Sequence, residues 1–173
     1  LSATLRGYLM SFVSTDSHAN IMGAIGAFGQ GMGDQDIASA WAFGRVWFKV
    51  PQSVRVVLKG RPGPGATAKD LVLAMLRTLG ADGLLGYAAE VEGEAAAALD
   101  LAGRIPVASM ATEMGGIIAL LAPSAEVVEH CSRAAGRPLP RSMAISRLAW
   151  SRLIPARLHS VPRVPRREPV YDS

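Results

Sequence analysis

A single cysteine, Cys131, stands in the 173-residue chain. One thiol excludes an intramolecular disulfide and any multi-cysteine metal site built by this chain alone, and it suits a reducing cytoplasm, the compartment expected here. Aromatics are scarce at 6% and charged residues reach only 18%. Long apolar runs are missing as well. The longest, residues 117–123, is too short to cross a bilayer, and extending it backward meets Glu113. The first residues show no basic flank followed by an apolar stretch, so they do not read as a secretory signal. No G-x-G-x-x-G falls in the dinucleotide register and no lysine completes a Walker loop, which sets nucleotide binding aside.

Acidic residues are nearly absent from the last part of the chain. Residues 1–136 carry 10 Lys/Arg against 12 Asp/Glu, whereas residues 137–173 carry 8 Arg against 2 acids. The net charge of +4 therefore describes the tail and not the folded part. Prolines at 138, 140, 155, 162, 165 and 169 exclude long helices there, leaving room for one short helix at 143–153. Residues 137–173 read as a poorly ordered Arg/Pro-rich extension, in preference to a nucleic-acid arm.

Half of the residues are hydrophobic, and alanine and glycine are prominent among the small ones, which suits close packing of helices on a sheet. Residues 11–15 read as a short strand. Residues 20–33 are small and apolar, and their glycines at 23, 26, 29, 31 and 33 imply close backbone approach. A helix is expected over 34–45, capped by Asp34 or Asp36, with Ile37, Ala40, Trp41 and Gly44 on one face. Trp41, Trp47 and Phe48 are expected in the core or at an amphipathic rim. Residues 53–58 read as a strand and 61–65 as a loop. Thr67 and Asp70 form a capping-box variant opening a helix with Leu71, Met75 and Leu79 one turn apart, ending at Gly80. A strand is expected at 87–92, helices at 94–101 and 106–114, a buried strand at 117–122, and a helix capped by Ser124 up to Gly136. Strand and helix alternate, so the fold class is α/β, with a partial domain over residues 1–136.

The stretch with most chemistry is Thr15-Asp16-Ser17-His18. It supplies a carboxylate, a hydroxyl and an imidazole at the carboxyl end of a strand, where open α/β sheets place ligands. The same residues are also the chemistry of a turn and a helix cap. The triplet is followed by Gly23-Ala24, Gly26-Ala27, Gly31-Met32-Gly33 and Asp36-Ile37-Ala38. Trp47-Phe48-Lys49-Val50-Pro51, Gly65-Ala66-Thr67-Ala68-Lys69-Asp70 and Ser109-Met110-Ala111-Thr112-Glu113-Met114-Gly115 come next, in that order. This series resembles the aconitase and isopropylmalate dehydratase superfamily over residues 12–137. The Trp-Phe-Lys-Val-Pro segment is more similar to the large subunit of the two-chain dehydratases.

The resemblance implies a hydro-lyase fragment acting on a hydroxy di- or tricarboxylate such as isopropylmalate. It implies Asp16, His18 and Glu113 as catalytic groups, with Glu113 beside the histidine in space, and Ser17, Ser109 and Asn20 as substrate contacts. It further implies a [4Fe–4S] cluster in the full-length parent, held by three cysteines outside the matched part, and a small swivel-domain subunit as partner. No cluster is expected on this chain alone; Cys131 reads as a core or surface thiol. His130 and His159 match nothing functional and are expected to be exposed. The sequence departs from the family at Ala108-Ser109-Met110, where Cys-Asn-Met is usual, so a shorter hydroxyl replaces an amide. That change lends weight to the other reading, a non-catalytic binding or scaffold module that keeps the fold.

Overall fold

The computed structural model describes residues 11–47 and 49–139. The expectations for residues 1–10, for Phe48, and for 140 onward, including the short helix at 143–153 and His159, lie outside the described residues. Among the described residues, five strands form two parallel sheets. β1 (Ser11–Ser14) pairs with β2 (Phe28–Gly31), placing Ser14 opposite Gly31. β3 (Gln52–Val57), β4 (Tyr87–Glu92) and β5 (Ile118–Leu121) make the second sheet in that order. Parallel neighbours need crossover connections. α2 (Ala68–Leu79) joins β3 to β4; α3 (Glu94–Ala97) and α4 (Leu101–Ser109) join β4 to β5. α1 (Asp34–Phe43) follows β2 and α5 (Ala125–Ala134) follows β5. The α/β class read from the sequence is the class observed.

The core lies between helices α2 and α4 and one face of the larger sheet. Val72, Met75, Val107 and Ala108 meet Ala89, Val91, Ala119 and Leu121. On the other face, Phe28 of β2 packs with Ala88, Ile118 and Leu120. β5 is thus covered on both sides, as a continuous apolar run requires. Arg104 of α4 is buried and donates to the carbonyls of Leu99 and Ala122, tying the loops that precede α4 and follow β5.

Between β1 and β2 the chain forms a 3-10 helix, Ser17–Ile25; neither this helix nor β2 is announced by the sequence pattern. Its small residues do the work expected of them. A Cβ on Gly23 would collide with the carbonyl of Ala119 in β5, and one on Gly29 would collide with the carbonyl of Ala19. A Cβ on Gly31 would come within 2.8 Å of the Asp16 carbonyl oxygen and of the Ser17 Cα. The helix is therefore clasped at van der Waals distance by β5 on one side and β2 on the other.

Several boundaries differ from the sequence reading for identifiable reasons. Asp100 caps α4 through a 2.7 Å bond from the Gly103 N–H, so α3 stops at Ala97 and the second helix is 101–109, not 106–114. Pro106 sits inside α4, where it withholds the N–H that the Ala102 carbonyl would otherwise receive. Neither Asp34 nor Asp36 caps α1. Gly33 holds the N-cap position without a side-chain bond, and the two acids lie in the first turn, where the helix dipole favours them. Gly44 is not a face residue but the left-handed C-cap, with φ 65°. Trp41 and Trp47 are 86% and 83% exposed, which excludes the core and leaves the amphipathic rim, the other place expected for them. The α2 capping box is present in full, and Ser124 caps α5.

The glycine clasp makes a quantitative prediction. Gly23→Ala should lower stability by about 1–3 kcal/mol in urea unfolding, because the added methyl must displace backbone. Gly63→Ala, with open space around it, should stay within about 0.5 kcal/mol of the parent. Equal midpoints for the two variants would contradict the clasp.

Candidate functional site

The Asp-Ser-His triplet lies where β1 ends and the 3-10 helix begins. Asp16 has extended backbone angles and its Oδ1 accepts from the His18 N–H at 2.9 Å, so the aspartate is the helix N-cap. Its own N–H donates to Ser14 Oγ at 3.2 Å. The turn chemistry evident in the sequence is realised, and it also aims the imidazole. His18 Nδ1 lies 3.3 Å from Asp16 Oδ1, and His18 Nε2 lies 3.8 Å from Glu113 Oε1. Glu113 comes from a second 3-10 segment, Thr112–Met114, which follows α4. Ninety-five positions apart in sequence, the two side chains share one surface. The His18–Glu113 separation is that of an ion pair and is longer than a hydrogen bond.

The site is open. Side-chain exposures are 69% for Asp16, 52% for His18 and 40% for Glu113. Ser17 is exposed beside them, whereas Ser109 is half-buried at the end of α4. Its carbonyl accepts from Thr112 Oγ1 at 3.4 Å. Asn20 departs most from expectation. It is 1% exposed, its Nδ2 donates to Thr112 Oγ1 at 2.9 Å, and its Oδ1 has no partner. Buried in this position, it presents nothing on the open surface. The sequence offered no signal for Thr112, one hydroxyl among several beside a more conspicuous glutamate. His130 is exposed and Cys131 half-buried, both on α5.

The His18 backbone N–H, and then its ring, hold the Asp16 carboxyl below the ordinary value of 3.8, against a smaller opposing effect of desolvation. Among the described residues, no group of three or more His, Cys, Asp or Glu side chains could hold a metal ion. No described helix is long and apolar enough to cross a membrane.

The polar groups gather at the carboxyl end of a parallel strand, where open α/β sheets commonly place ligands. Comparison with known proteins goes further. The family model described as Aconitase family (aconitate hydratase) matches residues 5–153, and the chain belongs to that family. The match runs past Arg137 into the Arg/Pro-rich stretch. The chain is 38% identical over 126 residues to the 3-isopropylmalate dehydratase large subunit of Hydrogenobaculum sp. (strain Y04AAS1), covering 73% of this chain and 30% of that protein. It is 46% identical over 118 residues to the homoaconitase large subunit of Thermus thermophilus, covering 68% and 28%. A third relative, the 3-isopropylmalate dehydratase large subunit of Syntrophus aciditrophicus, is 40% identical over 126 residues, covering 73% and 30%. The chain spans about 30% of the length of these relatives.

The lowered Asp16 value has a definite sign. A depressed folded value means that the cap's contribution is complete above 3.8 and is lost as pH falls through the folded midpoint. A carboxyl NMR titration should place the Asp16 midpoint below 3.8, and His18→Gly should move it upward. A midpoint at or above 3.8 in the parent would contradict the capping geometry.

Proposed function

We propose that this chain forms one wall of the active site of a hydro-lyase acting on a hydroxy di- or tricarboxylate, of the isopropylmalate type. The observation that carries the reading is the placement of one imidazole between two carboxylates, Asp16 at 3.3 Å and Glu113 at 3.8 Å, on an open surface at a strand's carboxyl end. Each ring nitrogen faces a carboxylate, Nδ1 toward Asp16 within hydrogen-bond reach and Nε2 toward Glu113 at ion-pair distance. Hydroxide leaves carbon poorly, and a positioned proton donor lowers that barrier. In dehydration, His18 delivers its Nε2 proton to the departing hydroxyl as the carbon–oxygen bond breaks. The proton from the neighbouring carbon goes to a base outside these residues as the double bond forms. Ser17, next to His18 in the chain, and Ser109, at the end of α4, are the substrate hydrogen-bonding groups of this reading.

An iron–sulfur cluster held by three cysteines does not fit the donors present, because the chain has the single thiol Cys131. The cluster expected of the family would be ligated by parts of the parent protein beyond this sequence, where it would supply a Lewis acid. The relatives are named large subunits. That supports a small subunit as partner, closing over the open face of His18 and Glu113. A second reading rests on the resemblance: Ser109 stands where the family pattern has asparagine, which fits a scaffold module that kept the fold and lost the chemistry.

Assay of the complete large subunit with its small subunit separates the two. His18→Ala and Glu113→Gln should each lower turnover by about 100-fold or more, the size expected of a proton-handling group. Near-normal rates in both variants would refute these roles and favour the scaffold.

A further inference from the structure

The His18–Glu113 pair cannot hold itself together. Both side chains are about half exposed, no hydrogen bond joins them at 3.8 Å, and exposed ion pairs add little to stability. Their spacing must be imposed from beneath, by whatever fixes the two 3-10 segments relative to each other. One side-chain bond spans that junction. Asn20, two residues after His18, donates to Thr112, the residue before Glu113, across 92 positions of sequence.

We propose that the Asn20–Thr112 hydrogen bond is a latch that sets the His18–Glu113 geometry, making Asn20 and Thr112 positioning residues; its importance for turnover rests on the function proposed above. The bond sits where it controls the pair. Each partner is within two residues of the side chain it positions, so little backbone freedom intervenes. The Asn20 amide is buried and its Oδ1 has no partner, so the link to Thr112 is its one side-chain tie. Breaking it would leave the whole amide unsatisfied, which costs far more than an exposed bond would. The hydroxyl is oriented as well. Thr112 Oγ1 donates to the Ser109 carbonyl at 3.4 Å, leaving a lone pair for the amide. Gly23, lying on Ala119, fixes the far part of the same 3-10 helix, so the latch needs to secure only its near end.

The test reads geometry without substrate, on the 173-residue chain, by long-range proton–nitrogen NMR of the histidine rings at fixed pH. Glu113→Gln should displace the His18 Nε2 resonance in the parent and equally in a Thr112→Ser background, which keeps the hydroxyl. In Thr112→Val or Asn20→Ala backgrounds the displacement should shrink by about threefold or more, the mark of lost coupling between neighbours. An undiminished displacement in either background overturns the latch. Loss of the folded spectrum in Thr112→Val also overturns it, because the Thr112 side chain is exposed and a positioning bond is separable from the fold. Since no turnover is measured, failure of the hydro-lyase reading leaves this result intact, and failure of the latch leaves the turnover test intact.

Discussion

The structure depends on a backbone contact that only glycine permits. The carbonyl of Ala119 occupies the space where a Cβ of Gly23 would be, and the carbonyl of Ala19 does the same at Gly29. These two contacts seat the 3-10 helix Ser17–Ile25 between β2 and β5. Any side chain at either position would lift the helix from the sheet. Since His18 is on the first turn of that helix and Glu113 lies just before β5, the height of the helix decides whether the two can meet. Core packing and site geometry are here one constraint.

The chemistry follows from how little else holds the site. Asp16 uses one oxygen both to cap the helix and to meet the ring of His18, which orients the imidazole while keeping the carboxylate ionised. Glu113 approaches from the opposite side without closing a hydrogen bond. A ring so placed has its Nδ1 turned to Asp16 and its Nε2 turned to Glu113, on a surface open to solvent. Asn20 contributes from beneath, through a bond to the exposed Thr112 that is shielded from water at the amide.

Elements with local chemical signatures were legible in the sequence. Thr67 with Asp70, Ser124, and the apolar run ending in Leu121 each announce their structure within a few residues. The triplet was legible as a cap from its residue types, and its likeness to a family brought Glu113 beside it. What could not be read was long-range. Nothing local distinguishes Asn20 as a buried tie, because its partner is 92 positions away. The 3-10 helix and β2 are rich in alanine and glycine, whose propensities decide little here and whose positions are set by the contacts they allow. For Trp41 and Trp47 the sequence left core and amphipathic rim open: size argues for burial, but burial needs a neighbour, and among the described residues they are exposed.

The central claim is that His18 and Glu113 face each other across the junction of two 3-10 segments. The most direct measurement is a nuclear Overhauser contact between the His18 ring protons and the Glu113 side-chain methylenes in the folded chain. The account predicts a clear contact, present in the parent and weakened when Gly23 carries a methyl group. Its absence, with the His18 ring in contact instead with residues on another face, would contradict the site as described.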